Sequence, residues 1–314
     1  MKGGAVLVTG GAGFIGSHTV EALLSRGYHV RVIDDLSTGI EENLSGIDTE
    51  LIVADITDEQ VARKAVAGAF CVVHLAAARA VGLSIDDPIG SDRVNTGGTV
   101  TLLTAARDAG VEKFIFGSSS SVYGGTAPLP TLESAPLNPR SPYAVSKVAG
   151  EQYCRVFSDL FGISTVILRL FNVYGPRQRP DSPYAAAIPL FTEALICGRR
   201  PVVYGDGSQT RDFTFVSDVA AALSKTVEVD CGKHEVFNIA AGGRHSILEL
   251  LRVLEAITEV KIDPKFASPR SGDVKDSQAD ISKAERVLGW SPRTSFEEGL
   301  ARTVEWILSY TSQR

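Results

Sequence analysis

Ala5-Val6-Leu7-Val8-Thr9-Gly10-Gly11-Ala12-Gly13-Phe14-Ile15-Gly16 decides the fold. Ala5–Val8 is a short apolar run of the kind that forms a strand buried on both faces, and from Phe14 to Leu24 apolar residues recur at helical spacing. Between them stand Gly10, Gly13 and Gly16, in the pattern G-x-x-G-x-x-G. Glycines there permit a tight turn, let backbone approach a pyrophosphate and bring helix against strand, while the helix N-terminus offers free N–H groups to the phosphates. The stretch predicts a dinucleotide-binding turn, with Gly10, Gly13, Phe14, Ile15 and Gly16 around the cofactor.

The next apolar run, His29–Ile33, ends at Asp34, about twenty residues past the glycines, where a carboxylate can accept hydrogen bonds from ribose hydroxyls. A carboxylate there repels a 2′-phosphate, so NAD is expected over NADP. Asp35 takes the role if the strand ends one residue later. Strand patterns near 5–9, 29–33, 50–53, 70–74, 113–117 and 164–170 alternate with helical patterns near 14–26, 58–67, 92–109 and 142–161. That rhythm predicts an α/β fold with a doubly wound parallel (Rossmann) sheet.

After Gly175-Pro176 the texture turns proline- and arginine-rich through Pro183, marking entry to a second lobe. The chain is expected to return around Thr214–Asn238, with Phe213–Val216 and Val236–Ile239 as strands flanking a helix from Ser217. The predicted division is 1–174 plus 213–239 for the dinucleotide domain and 175–212 plus 240–314 for a smaller mixed α/β lobe that binds substrate. A last helix near 296–310 would place Phe296, Leu300, Val304 and Ile307 on one face.

With 314 residues and 44% hydrophobic content the chain can bury a large core, in one domain or two lobes. A net charge of −6 without a basic tract argues against nucleic acid or an anionic membrane as partner. No segment reads as a signal peptide or a membrane span, so a cytoplasmic protein is expected. Cys71, Cys154, Cys197 and Cys231 lack C-x-x-C spacing, and the five histidines are dispersed. Reduced thiols and no metal are expected, with His74 as a packed structural residue.

Tyr143 and Lys147 fall four apart just inside a helix for which Ser141 suits the N-cap and Pro142 the first position, which puts both on one helical face. A free tyrosine titrates near pH ~10, and bringing it to neutrality takes roughly 4 kcal/mol of differential stabilisation of the phenolate. A neighbouring ammonium and an oxidised nicotinamide are two sources of it.

Together with His74-Leu75-Ala76-Ala77, Ser118-Ser119-Ser120-Ser121-Val122-Tyr123-Gly124 and Arg211-Asp212-Phe213, these motifs resemble the extended short-chain dehydrogenase/reductases that act on nucleotide sugars. Within that family they are most similar to the UDP-glucose 4-epimerase group, over about Val6 to Trp290. The resemblance implies that Tyr143 takes the proton from the sugar O4, that Lys147 holds the nicotinamide ribose and lowers the tyrosine pKa, and that Ser119 hydrogen-bonds O4. Ser118 and Ser120 stay open as alternatives, because a serine run has no internal register. Asp55 and Ile56 would meet the adenine, Leu75, Ala76 and Ala77 would line the cofactor, and Asn95 would face the sheet from its helix.

In the second lobe the resemblance assigns Asn172, Arg211 and Arg270 to the diphosphate, Asp273 to ribose, and Val203, Tyr204 and the Ala187-Ile188-Pro189 turn to the base. Arg79 and Ser120 would complete the substrate contacts. Ser277 would look onto the sugar C2 substituent, where a small residue goes with acceptance of UDP-N-acetylhexosamines beside UDP-glucose and UDP-galactose. Related dehydratases and decarboxylases carry an acid before Val-Tyr-Gly, and here Ser120 and Ser121 stand instead. A UDP-glucuronate 4-epimerase is the nearest rival: Gly175–Asp181 resembles that group, whereas Tyr184–Pro189 offers no cation for a sugar carboxylate. From another class, the chain could be a non-catalytic NAD-binding sensor. The family also implies a homodimer through the helices near 92–109 and 142–161.

Overall fold

A computed structural model describes residues 4–78, 81–181, 185–269 and 274–312. The apolar runs become the strands β1 (Ala5–Thr9), β2 (His29–Asp34), β3 (Glu50–Val53), β4 (Ala69–His74), β5 (Lys113–Ser119) and β6 (Ser164–Leu170) of one parallel sheet. A seventh strand, His234–Ile239, pairs parallel with β6. From that edge the order runs β6, β5, β4, β1, β2, β3, so the direction in which successive strands are added reverses between β1 and β4. A crevice at the carboxyl ends of strands forms at such a switch point.

Both faces of the sheet are covered, as continuous apolar strands require. On one face helix α1 (Phe14–Leu24) and helix Val216–Glu228 bury Val20, Leu23, Val219 and Leu223 against Val6, Val8, Val73 and Ile115. On the other, the helices Glu59–Val66, Gly98–Asp108 and Pro142–Phe161 bury Ala62, Leu102, Leu103 and Cys154 against Leu7, Val72, Phe114 and Phe116. Successive strand residues thus serve opposite cores. Ala284, Leu288 and Trp290, from the far end of the chain, also join the first face.

Three elements differ from expectation. β5 runs on to Ser119, so the serine run starts inside the sheet, with Ser118 opposite Arg169 and Ser119 opposite Leu170. The helix expected over 92–109 is broken into Pro88–Asp92, a wide turn Arg93–Gly97 and Gly98–Asp108; Gly98 N–H points back to Arg93 O, one residue farther than in an α-helix. Of Phe213–Val216 only Thr214–Phe215 is strand; it pairs with Val173–Tyr174 outside the main sheet, and the following helix begins at Val216.

A separate core holds the second lobe, with Tyr174, Ile188, Phe191, Phe213, Leu250, Leu254, Leu300 and Val304 packed together. Its helices are Ala187–Ile196, Ile247–Thr258 and Phe296–Ser312, the last burying Phe296, Leu300, Val304 and Ile307. Ser246 starts Ile247–Thr258 with a reciprocal cap: Glu249 N–H donates to Ser246 Oγ at 3.0 Å, and Ser246 N–H donates to Glu249 Oε2 at 2.7 Å.

Candidate active site

The glycine turn is bare backbone for a steric reason. Gly10 has φ +70°, and a Cβ there would sit 2.8 Å from Ala76 N; a Cβ on Gly16 would run into the Gly10 carbonyl. Thr9 Oγ1 accepts the N–H of Leu75 at 3.2 Å and of Ala76 at 3.1 Å, and lies 2.7 Å from His74 Nδ1. His74 Nε2 lies 3.0 Å from Thr99 Oγ1, and burial together with the Lys147 charge pushes the imidazole down to about 3. It is a neutral packing residue. Gly10, Gly13, Phe14, Ile15 and Gly16 line a cleft of about 380 Å³ with Asp34, Asp35, Asp55, Ile56, Leu75, Ala76, Ala77, Tyr143 and Lys147.

Asp34 is buried at the end of β2, accepting Ala12 N–H at 3.0 Å and Leu36 N–H at 2.9 Å, and burial raises its pKa against those bonds. Asp35 instead accepts the Ser37 N–H and hydroxyl at 3.0 and 2.6 Å. Asn95 sits in the wide turn, and that extra residue aims its side chain inward. Its Oδ1 accepts Ala78 N–H at 2.7 Å, while Nδ2 donates to Ala78 O at 3.2 Å and Ser146 Oγ at 3.0 Å. Ser146 Oγ donates on to Tyr143 O at 2.8 Å. The loop after β4 is thereby tied to the Tyr143 helix.

That helix begins as its first residues dictate. Ser141 Oγ accepts Ala144 N–H at 3.2 Å, Pro142 occupies the first turn, and Ser84 Oγ accepts the Tyr143 N–H at 3.1 Å. Lys147 is buried; its Nζ donates to Gly117 O at 2.8 Å and lies 5.8 Å from the Tyr143 ring centre. Burial pushes the ammonium down to about 8, with the Glu151 carboxylate opposing that fall. Ser118 and Ser119 point to opposite sides of β5. Ser118 Oγ donates to Glu151 Oε1 at 2.5 Å, whereas the half-buried Ser119 Oγ accepts Ser121 N–H at 3.2 Å and lies 2.8 Å from Ser121 Oγ.

A second cavity, about 520 Å³, is lined by Ser120, Ser121, Arg140, Ser141, Asn172, Arg211, Asp276 and Ser277. Asn172 has φ +31°, a left-handed conformation that asparagine tolerates, and donates from Nδ2 to Asp212 O at 3.2 Å and Ser277 Oγ at 3.3 Å. Asn172 and Arg211 also border a hollow of about 260 Å³ that Ile188, Phe191 and Tyr204 complete. Val203 turns into the lobe's core, and its neighbours Val202 and Tyr204 face the hollow instead, as strand alternation requires. Arg79, Arg270 and Asp273 lie outside the described residues. Among the described residues no group of three or more His, Cys, Asp or Glu could hold a metal, and no helix is long and apolar enough to cross a membrane.

Several site residues have no counterpart in the motif reading. Ser84 and Ser146 hold the Tyr143 backbone, and Arg140 and Asp276 face the second cavity. Asp212 is buried, accepts the N–H groups of Ala241 and Ala279 at 3.0 Å each, and is pushed up to about 7 by burial. Glu151 and Asp212 had a local signal, the first one helical turn beyond Lys147 and the second inside Arg211-Asp212-Phe213.

A bare-backbone dinucleotide cleft, a Tyr-x-x-x-Lys helix on its wall and an adjoining second lobe define an extended short-chain dehydrogenase/reductase. Residues 7–303 match the family described as GDP-mannose 4,6 dehydratase, and the chain belongs to that family of epimerases and dehydratases. It is 42% identical to a UDP-glucose 4-epimerase of Mycolicibacterium smegmatis, over 96% of this chain and 97% of that one. A UDP-N-acetylglucosamine 4-epimerase of Methanobrevibacter ruminantium, solved with UDP-N-acetylmuramic acid, superposes with a TM-score of 0.94 at 40% identity, covering 99% of this chain and 100% of the other. A UDP-glucuronic acid 4-epimerase variant of Bacillus cereus, solved with NAD and a fluorinated UDP-glucuronic acid, gives 0.91 at 35% identity, covering 98% and 99%.

Proposed function

We propose that the chain is an NAD-dependent 4-epimerase of UDP-hexoses, interconverting UDP-glucose with UDP-galactose and, past the small Ser277, their N-acetylhexosamine counterparts. The carrying observation is the hydroxyl wall beyond Ser119. Ser120, Ser121 and Ser141 line the second cavity where elimination or decarboxylation would call for a further acid or base, and the carboxylate of Asp276 is engaged by Thr210 Oγ1 at 2.6 Å. Gly10–Gly16 and Asp34 would hold the pyrophosphate and ribose of NAD. What NAD supplies when bound is a reversible hydride acceptor for the sugar C4.

Tyr143 takes the O4 proton and later returns it. Ser119 hydrogen-bonds O4, and the Lys147 ammonium favours the phenolate and holds the nicotinamide ribose. Asn172 and Arg211 take the diphosphate, the guanidinium through paired N–H donors. Ile188 and Tyr204 flank the base. The same proposal divides the chain into the two lobes given above and pairs it with a second copy, since Val145, Tyr153, Val156 and Leu160 leave an exposed apolar stripe on the Tyr143 helix.

Turnover of UDP-galactose by purified protein tests the reading. NAD binding without turnover of any UDP-sugar would leave the non-catalytic sensor instead. A second reading, UDP-glucuronate 4-epimerase, is favoured by Arg140, a cation in the cavity wall. A panel of UDP-hexoses, UDP-N-acetylhexosamines and UDP-hexuronates separates the two. Asp34→Ala is expected to weaken NAD binding about tenfold and narrow the preference over NADP, because the ribose loses a charged acceptor. Unchanged affinity in a binding titration would move that role to Asp35.

A further inference from the structure

One turn beyond Lys147 the same helix buries Glu151, which is 3% exposed. Its carboxylate accepts Ser118 Oγ at 2.5 Å, Arg169 Nε at 3.0 Å and Arg169 Nη2 at 2.7 Å. Arg169 Nη1 donates to Tyr123 OH at 2.8 Å, and Tyr123 OH donates to Asn238 Oδ1 at 2.7 Å. One buried run of polar contacts thus joins the Tyr143 helix, the end of β5, the turn after it, β6 and the edge strand. A buried ion pair is weak evidence for stability, since an apolar pair of like volume can pack helix on sheet as well. A charge in this place calls for another account.

We propose that Glu151 is a positioning residue for the epimerase centre: it sets the register of Ser118–Ser119 against Tyr143–Lys147 and places a buried carboxylate one helical turn from the Lys147 ammonium. The effect on turnover rests on the epimerase reading above; the effect on Lys147 does not. Lys147 Nζ has Gly117 O at 2.8 Å and the Phe116 ring at 4.9 Å as neighbours, and neither carries a negative charge. The titratable and charged groups around it are Tyr143, Glu151 and Cys154 on its own helix, His74 on β4 and Arg169 on β6. Burial pushes the His74 imidazole down and the Cys154 thiol up, so both are uncharged at neutral pH. Glu151 is the carboxylate on that helix whose charge acts on Lys147, and it acts whether or not Tyr143 has given up its proton.

The sign follows directly. Lys147 is a cation below its pKa, burial has brought that value down to about 8, and the Glu151 charge holds it up. Removing the charge lowers it further, so the alkaline limb of activity moves toward acid.

The test is Glu151→Gln in the full chain. Turnover against pH is followed with UDP-galactose and bound NAD, and the Lys147 side chain is titrated by NMR without substrate. Turnover at pH ~8 should fall about tenfold with KM little changed, the alkaline limb should move down by about one pH unit, and the Lys147 titration should move with it. Glu151→Asp should restore most of both. A lower melting temperature with an unmoved limb and an unmoved Lys147 titration would overturn the proposal and leave Glu151 a purely structural partner of Arg169. If Glu151→Gln does not fold, Glu151→Gln with Arg169→Met removes the unpaired guanidinium as well and must still show the Lys147 titration displaced toward acid, by less because a cation has gone too; a wild-type value there also overturns it. If the wild type turns over no UDP-sugar, the function above fails and the Lys147 titration still decides this proposal.

Discussion

Tyr143→Phe is expected to lower epimerase turnover by about a thousandfold while leaving NAD bound as in the wild type. The substitution removes one oxygen and keeps the ring that faces Lys147 Nζ at 5.8 Å. Backbone contacts hold residue 143 in place: its N–H with Ser84 Oγ and its carbonyl with Ser146 Oγ, beside the Ser141 cap on Ala144 N–H. The ring therefore stays where it is and only the proton acceptor disappears. Steady-state turnover of UDP-galactose and an NAD titration on the same preparation check both halves. A loss in kcat alone marks an interaction made in the transition state, whereas a rise in KM alone would mark a binding role. Turnover within tenfold of wild type would take the acid–base role away from Tyr143.

Ser277→Tyr is expected to cost about a hundredfold or more in kcat/KM for UDP-N-acetylglucosamine while UDP-galactose stays within about threefold. Ser277 lines the second cavity, and its surroundings leave its backbone little room to retreat. Its N–H donates to Thr210 O at 3.1 Å, and the preceding Asp276 is held by Thr210 Oγ1 at 2.6 Å. A larger side chain therefore has to enter the cavity rather than swing away. The loss of the weak Asn172 Nδ2 contact at 3.3 Å falls on both sugar types alike, so the ratio of their kcat/KM values isolates steric exclusion. Indifference of the wild type to UDP-N-acetylglucosamine, or equal handling of both sugars by the variant, would place the gate elsewhere.

The dinucleotide half was legible because its signals are local. The strand, glycine turn, helix and Asp34 lie within one short stretch, and Ser141-Pro142 announces the helix that carries Tyr143. Each depends on the conformation of a few adjacent residues. What stayed hidden depends on pairs far apart in sequence. Nothing near Ser118 indicates that its hydroxyl meets Glu151, nothing near Arg169 indicates Tyr123, and the two-residue strands Val173–Tyr174 and Thr214–Phe215 are too short to carry a period. Val203 shows the cost of carrying a position over without its register: a shift of one residue along a strand exchanges cavity for core. Asp212 stands inside the Arg211-Asp212-Phe213 motif, yet its role is not legible there, since its partners Ala241 and Ala279 are set by the folded chain alone.

The wide turn at Arg93–Gly97 makes chain length itself part of the site. A helix with a surplus residue in one turn is out of phase across that turn, because each residue advances the side-chain direction by about 100°. Removing Arg93 or Val94 would take out the surplus residue ahead of Asn95 and give a more regular helix. It would also rotate Asn95 away from Ala78 and Ser146, severing the loop after β4 from the backbone of Tyr143. At this point in the chain a better helix is a worse enzyme, so changes in length here are far less tolerable than changes of residue.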